Sequence, residues 1–179
     1  MRIGISGAQC TGKTTLLNAL RSEDMFKRYN ICTEVTRTVA SYGLPINEDG
    51  NDITQTLIMN QHIVNWFMNS KMLTDRTVLD GYVYSIYLLE TGNIKRQTLN
   101  YAREVFNKLI KKYDVLFYIA PEFELEEDGV RSVGVHFRNR IVNLFDSVIV
   151  DENVNVVKIS GSVRERVEKV VNIIFNYEE

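Results

Sequence analysis

Two periodicities divide this chain of 179 residues into elements. Short apolar or β-branched runs read as buried strands, and apolar residues spaced by three and four read as helices. Arg2 to Ser6 forms the first strand pattern and ends at Gly7. Helical spacing follows, with Leu16, Leu17 and Leu20 on one face. Tyr29 to Glu34 reads as a second strand, and Tyr42 to Asn51, with Gly43, Pro45, Asn47, Asp49 and Gly50, as a loop. A long helix is expected from Asp52, because Asp52 and Gln55 have capping-box spacing. Its apolar face is read as Ile53, Leu57, Val64, Phe67 or Met68, and Met72.

Thr77 to Asp80 reads as the third strand, stopping at Asp80-Gly81, with a helix over Tyr82 to Leu89. Leu99, Ala102, Phe106, Leu109 and Tyr113 define another amphipathic helix. Val115 to Ala120 is the cleanest strand pattern and is closed by Pro121. Glu122 to Gly129 is acidic and reads as loop. Phe137, Ile141, Leu144 and Phe145 mark a helix, and Val156 to Ile159 a last strand. Ser162 and Glu165 form a capping box ahead of Val163, Val167, Val170 and Ile174. Strands that alternate with helices predict an α/β fold: a parallel five-stranded sheet with helices on both faces, in three layers. Ligands in such sheets bind beyond the carboxyl ends of the strands. Gly7, Glu34, Asp80 and Pro121 should therefore gather along one edge.

Composition adds limits. The hydrophobic fraction of 45 % and charged fraction of 25 % suit a soluble globular domain, and the absence of a linker or repeat suggests one domain over 1–179. A formal net charge of −2 gives no basic field for nucleic acid. Cys10 and Cys32 make neither a disulfide framework nor a zinc motif, which suggests a reduced, cytoplasmic setting. No run approaches the ~18 apolar residues of a membrane span, and no targeting peptide precedes the first strand.

The strongest chemical signal is Gly7-x-x-x-x-Gly12-Lys13-Thr14 between the first strand and the first helix. Glycines let backbone N–H groups converge on phosphate oxygens, and the helix adds its positive end. Gly7, Ala8, Gln9, Cys10, Thr11, Gly12, Lys13, Thr14 and Thr15 should cradle a triphosphate. Lys13 would face the β and γ phosphates and the Thr14 hydroxyl a Mg²⁺ ion, so ATP with Mg²⁺ is the expected cofactor pair. Guanine-binding Asn-Lys-x-Asp is absent from the sequence. Asp80, read as a strand-end carboxylate, is expected to join the Mg²⁺ shell or take a proton from an attacking hydroxyl; the competing reading is a carboxylate that only makes a turn. Arg131 and Arg138 are candidates for stabilising transferred charge, Arg131 in a catalytic role and Arg138 on the nucleotide, from a lid over about 121–140. Glu34, Arg37 and Tyr82 are candidates for the acceptor, through sugar hydroxyls, a phosphate and a base. His62 and His136 read as structural.

The glycine loop, the segment Thr77–Ser85 (TVLDGYVYS) and Glu126–Ser132 (EEDGVRS) together resemble the nucleoside and nucleotide kinase branch of P-loop proteins. The likeness is nearest to the small AAA-type ATPase/kinase group that includes nicotinamide riboside kinase domains. That resemblance implies a lid signature at Asp128, Gly129, Val130 and Arg131. It also implies an adenine-side loop at Ser160, Gly161 and Ser162 with Arg164. Thymidylate kinases, more distantly similar, carry Asp-Arg-Tyr-x-x-Ser, where this chain has Asp80, Gly81, Tyr82 and Ser85, with glycine in place of arginine. The expected activity is ATP-dependent phosphoryl transfer to a small acceptor, a nucleoside or nucleoside monophosphate. The alternative is a P-loop ATPase acting as a switch or assembly factor. A homodimer is left open, and neither membrane nor nucleic acid is expected as a partner.

Overall fold

The computed structural model describes residues 1–33, 35–122 and 134–178. Five strands, β1 (Arg2–Ser6), β2 (Asn30–Cys32), β3 (Met72–Asp75), β4 (Val115–Ile119) and β5 (Val157–Ile159), form one parallel sheet in the order β2-β3-β1-β4-β5. Ile3 sits beside Leu73 on one flank and Val115 on the other, so β1 is the central strand. Helices α1 (Lys13–Arg21), α2 (Val35–Ser41), α3 (Asp52–Met68), α4 (Val78–Glu90), α5 (Arg96–Leu109), α6 (Val135–Asp151) and α7 (Val163–Glu178) cover the sheet. Alternate residues of the strands feed the two faces. Ile3, Ile5, Leu73 and Phe117 pack with Leu16, Leu17, Leu20, Val170 and Ile174 from α1 and α7. Met72, Leu116 and Tyr118 pack with α4, α5 and α6 through Leu79, Val83, Phe106, Ile141 and Phe145. The α/β, three-layer expectation holds. No helix among the described residues is long and apolar enough to cross a membrane.

Several local expectations need correction. The third strand is Met72–Asp75, and Thr77–Asp80 is the start of α4. The run Thr77-Val78-Leu79 has strand-like side chains, but capping overrides that propensity. Thr77 Oγ1 accepts from Leu79 N at 3.1 Å, and Asp80 Oδ2 accepts from Thr77 N at 2.9 Å. Asp80 is therefore a capping residue in the first turn of a helix, not the end of a strand. Met72, expected on the preceding helix, is the first residue of β3. The cap of α3 is Asn51, whose side chain accepts from Thr54 N at 3.0 Å, while Asp52 accepts from Lys95 N at 2.8 Å. The face expected to be buried on α3 is the outer one: its inward side is Thr54, Gln55, Ile58, Met59 and His62. The stretch after β2 also holds a helix, α2, that no apolar spacing announced. The expected capping box at α7 is present, with Ser162 N donating to Glu165 Oε2 at 2.7 Å and Glu165 N to Ser162 Oγ at 3.3 Å. In the lid expected over 121–140, residues 135–140 belong to α6, and 123–133 lie outside the described residues.

Gly81 faces α3 at closest approach, and a Cβ there would overlap Met59 Sδ. A side chain at this position requires the buried Met59 thioether to move. Gly81→Ala should lower stability by about 1–2 kcal/mol, the overpacking penalty exceeding the ~1 kcal/mol that alanine gains over glycine in a helix. Urea unfolding measures it, and an unchanged or higher midpoint would contradict this packing.

Candidate functional site

The chain leaves β1 at Ser6 and turns sharply into α1. Gly7 at φ 151°, Cys10 at 59° and Gly12 at 84° give the loop a backbone that points successive N–H groups inward. The Lys13 ammonium runs back along the loop, donating to Gly7 O at 2.8 Å and Ala8 O at 2.6 Å. Ala8 is fully buried and contributes backbone only. Gln9, Cys10, Thr11, Gly12, Lys13, Thr14 and Thr15 line an open basin of about 990 Å³, together with Arg37 of α2, Gly161 and Arg166. The loop residues expected to cradle phosphate thus converge, and Gly161 and Arg37 reach the same basin. Ser160 and Arg138 do not line it; Arg138 is buried in α6 beside Phe137, which does.

The loop is held from three sides. Asp80 Oδ1 accepts from Gly7 N at 3.3 Å, and Thr77 Oγ1 and Ser6 Oγ share a hydrogen bond of 2.7 Å. Arg166 of α7, almost wholly buried, donates to Thr11 O at 2.8 Å and to Gly161 O at 2.8 Å, and pairs with Glu122 at 3.3 Å. Glu122 in turn accepts from Gly161 N at 2.9 Å. Nothing in the sequence marks Arg166, because a guanidinium bridging two backbone carbonyls has no local signature.

The carboxylate at the end of β3 is Asp75. Thr14 Oγ1 donates to Asp75 Oδ2 at 2.6 Å, and the other oxygen, Oδ1, is buried without a hydrogen-bond partner among the described residues. A hydroxyl and a strand-end carboxylate with a spare oxygen, side by side at the phosphate basin, fit Mg²⁺, which takes few protein ligands and keeps its waters. Asp75, and not Asp80, is the carboxylate that meets Thr14 at this basin. Asp80 has both oxygens engaged, and burial pushes its carboxyl above the usual range, opposed by the Lys13 and Arg76 cations.

A second, narrow cleft, with about 20 Å³ of free space, lies between α2, α3 and α4. Gln55, His62, Arg76, Asp80, Gly81 and Tyr84 are among its walls. Arg76, at φ 72° directly after β3, lines both this cleft and the phosphate basin. Its guanidinium lies 5.2 Å from the centre of the Tyr84 ring, and Tyr84 OH donates to Gln9 Oε1 at 2.9 Å. His62 Nε2 and Gln9 Nε2 are buried without partners among the described residues. Burial, together with the Arg76 charge, pushes the His62 imidazole down to about 4, so it is neutral at pH 7. Tyr82 does not reach the cleft: it stacks on Phe106 at 4.8 Å and accepts from Arg103 Nε at 2.8 Å on the far side of α4. Tyr82, expected at the acceptor, is thus not among the walls of this cleft. Glu34 and Arg131, also expected at the site, lie outside the described residues. Asp75, Arg76, Gln55 and His62 line these clefts without being singled out by the sequence pattern. For the first two a signal was present: Thr77-x-x-Asp80 ahead of an apolar run is a helix-start signature, which would have ended the strand at Asp75.

The neutral histidine sets a pH dependence. The unfolded chain takes up its proton near pH 6.5 and the folded chain only near pH 4, so between those values the unfolded state holds more protons. Stability should fall on acidification through this window by about 3 kcal/mol for this one group. Asp80, whose carboxyl is held above the usual range, acts oppositely, so the parent chain is compared with His62→Gln, in which the His62 contribution disappears. Urea unfolding from pH 7 to 4 measures the difference; parallel curves would refute the assignment.

Sequence and structure comparisons agree with this geometry. The AAA domain family matches residues 2–166. No curated protein sequence matches the chain. Deoxyadenosine kinase from M. mycoides, solved with the products dCMP and a flexible dCDP, superposes with a TM-score of 0.71 at 13 % identity, over 99 % of this chain and 100 % of that one. Thymidylate kinase from Candida albicans gives 0.66 at 16 % identity, over 98 % and 91 %. NadR protein in complex with NR gives 0.64 at 17 % identity, over 89 % of this chain and 45 % of that one. At such identities these likenesses concern the fold. With the phosphate loop and strand order as described, and with the family match spanning 165 residues of the chain, 2 to 166, the protein belongs to the AAA domain family.

Proposed function

We propose that the chain is an ATP-dependent kinase that transfers a phosphoryl group to a small acceptor, a nucleoside or nucleoside monophosphate. The observation that carries this reading is Arg76, whose side chain lines both the phosphate basin and the α2–α3–α4 cleft. A group shared by two adjoining clefts is positioned to meet a phosphoryl group passing from one to the other. Guanidinium donors suit the equatorial oxygens on which charge spreads in such a transfer.

The remaining residues divide accordingly. The 7–15 loop and Lys13 would bind the ATP phosphates. Thr14 and Asp75 would hold Mg²⁺, which when bound neutralises phosphate charge. Gln55, His62 and Tyr84 offer amide, imidazole and phenol groups on one cleft wall, a set that suits a flat heterocycle with hydrogen-bonding edges. Asp80 would act as a positioning residue, holding Gly7 and the start of α4 in place. Glu34 and Arg131 keep their proposed roles at the acceptor and the transferred group. The likeness to deoxyadenosine kinase, thymidylate kinase and NadR supports acceptors of the nucleoside class.

Incubation with ATP and Mg²⁺ over a panel of deoxynucleosides, ribonucleosides, their monophosphates and nicotinamide riboside tests this reading. ADP release should depend on at least one acceptor, and Arg76→Lys should reduce kcat about 10²–10³-fold while leaving ADP binding unchanged. ADP release indifferent to every acceptor would favour the switch-type ATPase instead.

A further inference from the structure

Six buried side-chain polar atoms lack a hydrogen-bond partner among the described residues, and three of them belong to residues that line the two clefts. Asp75 Oδ1 lies beside the Thr14 hydroxyl, and His62 Nε2 in the wall of the α2–α3–α4 cleft. The third, Gln9 Nε2, sits on the phosphate loop itself. A buried amide N–H without an acceptor is costly, and folded proteins retain such a group where a ligand, an ion or a water completes it.

The Gln9 amide is held in one orientation. Gly7 N is tied to Asp80 and Ala8 is fully buried, so Gln9 is the first loop residue whose side chain lines the basin. That side chain turns towards α4, where Tyr84 OH donates to Gln9 Oε1 at 2.9 Å. With Oε1 engaged, the amide plane is fixed and Nε2 keeps its N–H donors for another partner. Tyr84 is in turn 5 % exposed and edge-on to Phe137 at 6.0 Å, and the Arg76 guanidinium lies 5.2 Å from its ring centre. One tyrosine thus holds two donors where the basin adjoins the cleft: a neutral amide from the phosphate loop and a cation from the end of β3. A triphosphate with its metal at Thr14 and Asp75 has its terminal phosphorus on this side of the loop and its base towards Gly161 and Val163.

We propose that Gln9 is a catalytic residue of the phosphoryl transfer, its Nε2 donating to an equatorial oxygen of the group in transit, and that Tyr84 is the positioning residue that aims it. The proposal rests on the kinase reading given above. In that step the acceptor hydroxyl oxygen forms a bond to the γ phosphorus, and the bond from that phosphorus to the β–γ bridging oxygen breaks. Its electron pair leaves with ADP, and the hydroxyl proton passes to water. Gln9 makes and breaks no covalent bond. It supplies a donor where charge spreads, and a donor fixed before the reaction begins needs no reorganisation during it. Because the amide is neutral, it sits beside Arg76 without like-charge repulsion.

Calorimetry and turnover test this together, with ADP, Mg²⁺ and aluminium fluoride as the probe of the transferring group. Parent and Gln9→Ala should bind ADP within about two-fold of each other, because the contact belongs to the transition state. Aluminium fluoride should tighten ADP binding to the parent, and that gain should fall about ten-fold or more in Gln9→Ala. Gln9→Glu, which has no donor and adds negative charge, should lose more. With the best acceptor of the panel, Gln9→Ala should lower kcat about 10²-fold and leave the KM for ATP unchanged. Tyr84→Phe should lower kcat about ten-fold, and the double variant no further than Gln9→Ala alone, since the phenol acts through the amide. Gln9→Glu at the parental kcat, loss of ADP binding in Gln9→Ala, or an aluminium fluoride gain absent from the parent or intact in Gln9→Ala would each overturn the catalytic role. Additive losses in the double variant would overturn the positioning role of Tyr84. ADP release indifferent to every acceptor would sink the kinase reading, and the aluminium fluoride titration would still decide whether Gln9 meets the terminal phosphoryl group.

Discussion

The site is organised around one buried carboxylate. Asp80 accepts from Thr77 N, which closes the cap of α4, and from Gly7 N, which opens the phosphate loop. Three elements meet there: the end of β1, the chain just beyond β3, and the first turn of α4. Burial raises its carboxyl above the usual range, and the nearby Lys13 and Arg76 cations and the Thr77 N–H oppose that shift. Because Asp80 and Thr77 start the helix at Val78, the strand has to end at Asp75. That leaves Asp75 beside Thr14, and Arg76, in left-handed backbone, at the junction of the two clefts.

The opposite side of the loop is secured by Arg166. Its guanidinium spans the Thr11 carbonyl, the Gly161 carbonyl and Glu122, joining the phosphate loop to the turns after β4 and β5. A loop that must hold N–H groups in a fixed array without a regular ladder needs such bracing from both flanks. Lys13, Asp80 and Arg166 are all buried. The phosphate loop is thus braced by buried, hydrogen-bonded side chains beside an open basin.

Helix α3 links the cleft to the molecular surface. Its inner side is polar where Gln55 and His62 face the cleft, so its strongest apolar repeat lies outside. Periodicity reports which face is apolar; it does not report whether that face is turned to the core. Gly81 is set by the same helix, since Met59 occupies the space its side chain would need.

The sequence by itself determined the parallel α/β architecture, the phosphate loop at Gly7–Thr14, the central strands β1 and β4, and the cap of α7 at Ser162. These rest on local spacing, and each is satisfied within a few residues of chain. Only the tertiary structure decided that Thr77–Asp80 begins a helix, that Asp75 and not Asp80 meets Thr14, and that Tyr82 turns away to Phe106. It alone joined Gln55, His62, Arg76 and Tyr84 along one cleft, and Arg166 with Thr11 across 155 residues. Those outcomes depend on pairings between segments distant in sequence, where a Thr-Val-Leu run suits a strand or a capped helix equally. The Thr77–Asp80 cap favours the helix, and the hydrogen bond from Gly7 N to Asp80, whose partners no local window contains, ties that helix start to the phosphate loop.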